Sequence, residues 1–412
     1  MPGGSAATAA AVPFYIYPDA AYDQSAALEC LPSWQFDDQA AEVALLALLR
    51  RHPARVLDPS KASLFVVPLM PYVSSGAGEC LGETHEQRMA RAASALRRSP
   101  HLARSGGHDH MLITNTFRTR LFGPWLKPLL ANATVAWFEQ PLRPPGNERR
   151  KGTLYALAFW RCTVVIPYLA NPFCTWQREV APDETRRLSE RGGAEGSRAA
   201  GGARRARAPG SVFFQGSWAA APNLRRHFAA LQSLPHSHIH DVPRGCGGGA
   251  PEANATTAEA AAAAAAAQIE CAASRLRGSR LHTARGMLGH EFCLVPRGDT
   301  PTSGRLYAAL ACRCVPLIIS NRFAEHYAFA ARGAYAEWVI SVPEGEFLRE
   351  PRAAVERAIA SARPRLPQMR AAMEGASREL LYDDGSAGGA GGTSRAADNL
   401  LQGWGAQCRV VH

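Results

Sequence analysis

Short, continuous apolar segments alternate with helix-like stretches along most of this chain, and this alternation limits the folds that it can adopt. In the first half, segments rich in β-branched and aromatic residues lie at 12–17, 62–68, 110–114, 134–138 and 162–167. Helix-like patterns at 38–51 and 85–98 separate the first three of them. Strands that are apolar throughout are typical of parallel sheets covered on both faces. The first half is therefore predicted to be an α/β layer structure.

The same pattern starts again after residue 210. Strand-like segments lie at 211–216, 237–242, 291–296, 315–320 and 337–342, and helical segments follow from 351 to 381. We predict two successive doubly wound α/β domains. Their predicted bounds are 12–180 and 211–371, with a linker or surface excursion at 181–210, an insertion at about 245–267, and a helix with a Gly-rich tail at 372–412.

The charge of the chain favours an anionic ligand. Lys and Arg number 46 against 35 Asp and Glu, which gives a net charge of +11 at pH 7. A nucleotide diphosphate, an acidic glycan or a nucleic acid would each suit this charge, which does not choose among them. With 47% hydrophobic and 20% charged residues in 412, neither global disorder nor a peptide hormone fits the composition.

Cysteine usage and targeting signals limit the kinds of cysteine site and the cellular compartments that suit this chain. The 10 cysteines form no CxxC pair, which excludes a zinc ribbon and leaves room for a few structural disulfides. The sequons at Asn132 and Asn254 are compatible with a secretory route. No run reaches the roughly 18 apolar residues of a membrane span, and residues 1–12 do not resemble a signal peptide. We expect either a soluble chain or one whose targeting segment is missing.

The most informative stretch runs from Phe292 to Leu310. An apolar strand leads into a loop of Gly, Asp, Thr, Pro and Ser, and this loop opens a helix whose first turn carries Arg305. Open α/β sheets bind ligands at the carboxyl ends of their strands, so this arrangement predicts an anion site. Ser303 or Thr302 would cap the helix or bind a phosphate, and the Arg305 guanidinium would clamp a diphosphate. The alternative is a capped helix after an ordinary turn.

This stretch also carries a family resemblance. Phe-Cys-Leu-Val-Pro-Arg-Gly-Asp-Thr-Pro-Thr-Ser-Gly-Arg-Leu at 292–306, followed by Ala-Cys-Arg-Cys-Val-Pro-Leu-Ile-Ile at 311–319, resembles the exostosin family, glycosyltransferase family 47. Further similar segments occur in the same order at 14–17, 62–68, 104–110, 165–168 and 212–216. The resemblance covers about residues 12 to 345.

The resemblance implies a GT-B architecture, in which two Rossmann-like domains face a cleft. It implies inverting transfer from a nucleotide sugar, usually a UDP-sugar, to a glycan or glycoprotein acceptor. The C-terminal domain would hold the donor and the N-terminal domain the acceptor. It also implies a Golgi lumenal setting with an N-terminal membrane anchor, which this sequence does not show. No metal is predicted, because the sequence has no Asp-x-Asp motif and Arg305 with helix amides can replace a cation.

The resemblance also assigns donor-side residues. The positions that match the family's donor motif are Arg297, Gly298, Asp299, Thr300, Ser303 and Arg305. Gly216 and Ser217, in the turn after the first strand of the second domain, could approach the same diphosphate, since a residue without Cβ lets backbone come close. The alternative is that Gly216 is an ordinary turn glycine. Glu325 lies at a distance from the strand at 315–320 that suits ribose hydroxyls, or it is a solvated surface carboxylate.

Inverting transfer needs a base to take the proton of the acceptor hydroxyl. The cluster His108-Asp109-His110 precedes a strand beside two glycines and supplies three titratable side chains. We predict that Asp109 or a neighbouring histidine is this base or contacts substrate hydroxyls. The alternative is that Asp109 caps local backbone and the histidines have a structural role.

Other features stay with their simpler interpretation. His236, His238 and His240 alternate on a predicted strand but have no evident carboxylate or thiolate partner, so a solvated face is favoured over a metal site. The Arg-rich segments at 186–187 and 204–207 lack aromatic residues, and we predict no nucleic-acid partner. A catalytically inactive glycan-binding or scaffolding homologue of the same fold stays open as an alternative function, and so does a homo- or hetero-oligomer.

Overall fold

The chain forms two α/β units, each built on a parallel sheet. The computed structural model of this 412-residue protein describes residues 12–31, 37–114, 122–140, 161–176, 207–219, 221–242, 278–298, 300–382 and 394–409. The predicted insertion at 245–267, most of the predicted linker and the Gly-rich part of the tail lie outside these residues.

Five parallel strands form the sheet of the first domain. They are β1 (Phe14–Ile16), β2 (Leu64–Val67), β3 (His110–Ile113), β4 (Thr134–Trp137) and β5 (Cys162–Val165), and they lie side by side in chain order. Almost every residue in them is buried. This burial explains why their sequences are apolar throughout.

The second sheet is also parallel, and its strand order reverses direction. Its strands are β6 (Ala208–Gly216), β7 (His238–Asp241), β8 (His290–Pro296), β9 (Val315–Ile319) and β10 (Ile340–Val342), in the order β10-β9-β8-β6-β7. The strands β7 and β8 flank β6 on opposite sides, so after β7 the chain crosses to the other side of β6 and the strand order reverses there. Such a reversal is the switch point at which doubly wound sheets bind ligands.

Helices fill the connections between the strands. They are α1 (Ala41–Arg51), α2 (Pro71–Ala77), α3 (His85–Arg97), α4 (Pro100–Ser105), α5 (Gly123–Leu129), α6 (Pro172–Trp176), α7 (Pro222–Arg225), α8 (278–289), α9 (Arg305–Ala311), α10 (Tyr335–Trp338), α11 (Glu344–Arg349), α12 (Pro351–Ala362), α13 (Leu366–Leu380) and α14 (Ala396–Gln407). The predicted α/β class with two Rossmann-like domains is confirmed by these elements.

The C-terminal helix returns to the first domain. Helix α13 contains the predicted domain boundary at residue 371, and α14 packs against β5 and α1. A disulfide between Cys162 of β5 and Cys408, just after α14, fixes this return. The last helix therefore covers the first sheet rather than forming a free tail.

The prediction of a strand at 337–342 is wrong in its first part. Its first part is the helical turn α10, and only Ile340–Val342 pairs with β9. The indole of Trp338 is buried and donates a hydrogen bond to the Gly333 carbonyl at 2.8 Å. This contact favours a helical turn over an extended chain, although the sequence there is rich in strand-forming residues.

Four disulfides cross-link the described residues. Two lie within the domains, Cys30–Cys80 in the first and Cys293–Cys314 between the neighbouring strands β8 and β9. The third is Cys162–Cys408, and the fourth joins Cys174 of α6 to Cys312 at the end of α9. This last bridge connects the two domains covalently. Separately, no helix of the described residues is long and apolar enough to cross a membrane.

Candidate active site

The loops after β6, β8 and β9 meet at the switch point of the second sheet. These strands end at Gly216, Pro296 and Ile319, on the same edge, because all of them run in parallel. The segment 297–305 follows β8 and contains the predicted donor residues, so we call it the donor loop. Asp299 lies outside the described residues.

Arg305 reaches from the start of α9 back over the end of β6. Its Nη2 donates to the Gln215 carbonyl at 3.1 Å, and its guanidinium lies 4.9 Å from the centre of the Phe214 ring. A Cβ on Gly216 would lie 1.9 Å from Nη2, so only glycine allows this approach. Burial lowers the pKa of Arg305 to about 10, which leaves the side chain cationic at neutral pH. The structure thus brings Gly216 and Arg305 together.

Arg225 braces the neighbouring turns. Its side chain is buried, and it donates to the carbonyls of Ser217 at 2.7 Å and Arg297 at 3.0 Å. Arg297 itself is ion-paired through Nε with Glu344 Oε2 at 3.0 Å. Arg225 therefore fixes two predicted donor positions by their backbone, whereas the Arg297 charge is balanced within its own domain.

Bonds within the donor loop hold Gly298 and Ser303. The Gly298 amide donates to the Thr300 carbonyl at 3.0 Å, which closes a tight turn. Ser303 Oγ accepts from the Arg305 amide at 3.4 Å and lies 3.5 Å from the guanidinium. Ser303 thus interacts with both the backbone and the side chain of Arg305.

A carboxylate of the first domain faces the donor loop. Asp38 lies just before α1, and its Oδ1 is 3.3 Å from Arg280 Nη2 of α8. A Cβ added to Gly304 would lie 2.4 Å from Asp38 Oδ2, so this carboxylate sits against the residue before Arg305. The charge of Asp38 raises the Arg305 pKa in opposition to burial. Asp38 therefore lies beside both Arg280 and the start of α9.

Asp37 lies next to Asp38 in the sequence but has different surroundings. Tyr72 at the start of α2 donates its hydroxyl to Asp37 Oδ2 at 2.6 Å. Burial and the charge of Asp38 raise the pKa of Asp37 above its ordinary value. Two adjacent carboxylates thus lie on the first-domain side of the cleft, one beside arginines and one beside a tyrosine.

Glu139 is the third carboxylate of the cleft. It follows β4, is fully buried, and accepts the hydroxyl of Thr302 on Oε1. Tyr168 follows β5, and its hydroxyl oxygen lies 3.1 Å from the Thr302 hydroxyl oxygen. Burial raises the pKa of Glu139 to about 7, although the nearby hydroxyls of Thr300 and Thr302 oppose the shift.

The predicted base cluster lies at the opposite edge of the first sheet. Asp109 and His110 precede or begin β3, so they emerge at the amino ends of the strands, and His108 and Asp109 line a surface pocket of about 340 Å³ there. The structure does not bring these residues to the donor loop. A side chain placed before a parallel strand lies on the edge away from the one where such sheets bind ligands.

The contacts of this cluster are structural in kind. Asp109 accepts from Arg104 at 2.8 Å, from Ser105, and lies 2.7 Å from His110 Nδ1. Burial alone would raise the Asp109 pKa, but these hydrogen bonds outweigh it and hold the pKa below its ordinary value. The fully buried His110 ring stacks on Phe65 and reaches the Tyr17 hydroxyl through Nε2 at 2.8 Å.

Glu325 lies on the same side of the second sheet as the donor loop. It belongs to a turn after β9, is 53% exposed, and pairs with Arg322 at 2.6 Å. The hydrogen bonds from Arg322 lower its pKa. The next residue, His326, is buried and accepts the Gln140 amide on Nδ1 at 2.9 Å. The 323–326 turn thus contacts the first domain through His326.

Sequence reasoning missed Asp37, Asp38, Glu139 and Arg280. Glu139 carried a usable signal, because it is a polar residue directly after an apolar strand. Asp37 and Asp38 precede a helix as an acidic pair, which is a weaker signal. Among the described residues, no group of three or more His, Cys, Asp or Glu side chains is arranged to hold a metal ion.

Three comparisons show which known proteins this chain is similar to. The model of the Exostosin GT47 domain matches residues 10–358. The chain is 44% identical over 45 residues to a probable arabinosyltransferase of Arabidopsis thaliana. These 45 residues make up 11% of this chain and 10% of that protein. Among solved structures, a putative UDP-N-acetylglucosamine 2-epimerase from Listeria monocytogenes aligns over 89% of this chain and 93% of its own, with 10% identity and a TM-score of 0.31.

Proposed function

Since this chain belongs to the Exostosin GT47 family, we propose that it is a glycosyltransferase that moves a sugar from a nucleotide diphosphate sugar to a carbohydrate acceptor. The donor class proposed is UDP-linked, and the transfer proceeds with inversion at the anomeric carbon. The observation that supports the proposal most is the Arg305 guanidinium over Gly216 at the switch point of the second sheet.

The second domain is proposed to bind the donor through its diphosphate. Arg305 is desolvated and cationic, and Arg280 lies on the other side of Asp38. Planar guanidinium groups bind phosphate oxygens through paired hydrogen bonds. As the bond to the sugar breaks, negative charge grows on the leaving oxygen, and fixed cations stabilise it without reorganisation. Residues 297–303 would shape the pocket around the diphosphate, with Glu325 proposed for the ribose hydroxyls.

The first domain is proposed to present the acceptor. Its loops at the carboxyl ends of β4 and β5 carry Glu139 and Tyr168, and Asp37 and Asp38 lie before α1. Removal of a proton from the acceptor hydroxyl requires a carboxylate or a histidine in the cleft. The carboxylates of the cleft supply that group type, whereas we propose a structural role for His108, Asp109 and His110.

A Golgi lumenal location is proposed on family grounds. The four disulfides support it, because such cross-links persist in oxidising compartments.

A panel of nucleotide sugars tests the function. We expect the purified chain to hydrolyse or transfer from a UDP-sugar, and we expect Arg305→Ala to lower kcat/KM by about 100-fold or more, as loss of one charge-stabilising donor does elsewhere. Arg352→Ala is the matched control, because Arg352 is exposed and, within the described part of the chain, contacts Glu356 and Ser233 through its side chain. Full activity in Arg305→Ala would contradict the proposed role of this residue, and no turnover of any donor would contradict the enzyme.

A further inference from the structure

A buried carboxylate joins the first domain to the donor loop. Glu139 is 0% exposed, and Thr302, three residues before Arg305, donates its hydroxyl to Oε1. The Thr302 amide also points to this oxygen at 3.4 Å. Glu139 is therefore buried at the contact between the first domain and the donor loop.

The second oxygen of Glu139 lacks a partner. Among the residues that the structure describes, Glu139 makes no ion pair and Oε2 makes no hydrogen bond, although the Thr300 hydroxyl lies close enough to Glu139 to lower its pKa. The two arginines of the cleft are directed elsewhere, Arg280 to Asp38 and Arg305 to the Gln215 carbonyl. Buried polar atoms in folded proteins nearly always have a partner. The partner of Oε2 is therefore expected to come from a bound molecule.

The chemistry of Oε2 limits which group can bind there. In its ionised form Glu139 accepts hydrogen bonds and repels phosphate, so the diphosphate of the donor is directed to the arginines instead. A neutral hydrogen-bond donor fits, and sugars offer hydroxyl groups. The raised pKa of Glu139 agrees with a site that has no neighbouring cation.

A second unpartnered atom lies at the same junction. His326 accepts the amide of Gln140, the residue after Glu139, on Nδ1, which leaves the proton of the neutral ring on Nε2. This Nε2 is buried and has no partner among the described residues. His326 thus contributes a second unpartnered polar atom, from the second domain, to the contact between the domains.

We propose, on the basis of the proposed function, that Glu139 binds a hydroxyl group of the sugar substrates through Oε2, while Thr302 holds Oε1. The hydroxyl belongs either to the transferred sugar or to the acceptor. Glu139 thus recognises the uncharged part of the substrates and the arginines recognise the diphosphate. In this arrangement the residue contributes to sugar recognition without contributing to the affinity for free nucleotide.

Glu139→Gln is the sharpest test, because the amide keeps an acceptor for Thr302 and turns the free acceptor into a donor. We expect UDP to bind this variant by calorimetry with a Kd within about twofold of the parent, and kcat/KM to fall by about tenfold or more. If the hydroxyl belongs to the donor, KM for the nucleotide sugar rises and hydrolysis without acceptor falls. If it belongs to the acceptor, hydrolysis persists and transfer is lost.

Glu291→Gln is the matched control. Glu291 accepts the Gly210 amide and pairs with Arg370, but it lies at the amino edge of the second sheet. An unchanged kcat/KM in Glu139→Gln would overturn the inference, and so would an equal fall in UDP affinity and kcat/KM, which would mean that Glu139 only holds the loop. A parent that binds no UDP would instead overturn the proposed function, and the inference with it.

Discussion

Asp38 balances part of the positive charge of Arg280 and Arg305. Its carboxylate is paired with Arg280 and raises the pKa of Arg305, and it lies against Gly304 of the donor loop. Because the residue belongs to the first domain, it is a counter-ion supplied from across the cleft. A diphosphate that binds the same arginines must compete with it.

Asp38→Asn should therefore tighten UDP binding. Removing the charge and keeping the shape leaves both arginines free to attract the ligand, and we expect Kd to fall by about threefold or more at low salt. Calorimetric titration measures this Kd. Asp398→Asn is the control, since Asp398 lies on the distant helix α14 and pairs with His52. A Kd that stays constant or rises would show that Asp38 does not compete with the ligand.

Glu139 makes stability depend on pH. Its pKa rises from 4.5 to about 7 on folding because of burial, so the folded state holds a proton that the unfolded state has lost between these values. Stability therefore falls as pH rises through this window. Tyr168 and Tyr307 nearby have pKa values raised by burial and stay neutral throughout.

Glu139→Gln should remove this dependence. From about pH 5 to pH 8, the variant should gain stability relative to the parent, by up to about 3 kcal/mol for a shift of this size. Urea unfolding at both pH values gives the difference. Parallel curves for the two proteins across this range would mean that Glu139 titrates normally.

At the scale of elements, the end of β6 and the start of α9 form one unit. Arg305 needs the empty space above Gly216, so the strand end and the helix start depend on each other. Phe214 completes the unit, because Arg305 and Arg225 both lie over its ring. The geometry of the anion site therefore depends on a residue that itself offers no side chain.

Gly216→Ala should disable this unit. The new methyl group would lie 1.9 Å from Nη2 and 2.9 Å from Cζ, so the guanidinium must leave its position. We expect a loss of about 1 to 3 kcal/mol in stability and UDP affinity at least about tenfold weaker. Gly375→Ala in α13, where nothing lies within 4 Å of the added methyl, should be neutral or stabilising. Unchanged UDP binding in Gly216→Ala would refute the dependence.

The sequence predicted elements well where burial determines composition. All ten predicted segments overlap an observed strand and eight contain it whole, while β6 and β8 begin earlier than predicted, because continuous apolar runs report burial on both faces. The first part of the segment at 337–342 was wrongly predicted as a strand, because Trp338 and Val339 favour strands in general. The buried Trp338 indole instead belongs to a helical turn and donates to the Gly333 carbonyl. Local propensity cannot report such a tertiary contact.

Among the residues near the donor loop, the sequence singled out only residues of the second domain. Arg305 and Gly216 stand out because a strand, a loop and a helix are adjacent in sequence there. Glu139 and Asp38 face the donor loop from another domain, and this juxtaposition exists only after both sheets have formed. The polar cluster at 108–110 precedes its strand, and that position already indicated the amino edge of the sheet.

The whole molecule is held together by cross-links between distant parts of the chain. Cys174–Cys312 joins the domains across a sequence separation of 138, and Cys162–Cys408 ties the C-terminal helix to β5 across 246. The hydrogen bond from the Phe329 amide to the Val165 carbonyl adds a further contact between the domains. The cleft is thus bounded by covalent and polar contacts on several sides.

Removing the interdomain disulfide should uncouple the domains. Cys174→Ser with Cys312→Ser should cost about 2 to 4 kcal/mol and split calorimetric unfolding into two transitions. Cys30→Ser with Cys80→Ser is the control, because that bridge lies within the first domain and should lower Tm without splitting the transition. A single transition at the parent Tm in the first double variant would contradict this role.

The central claim is that Arg305 over Gly216 binds the diphosphate of a nucleotide sugar. Calorimetric titration of UDP into the parent and into Arg305→Ala tests it most directly, with Arg352→Ala alongside. The account predicts binding to the parent and to Arg352→Ala, and affinity at least about tenfold weaker in Arg305→Ala. Equal affinity in all three proteins, or no binding to the parent, would contradict it.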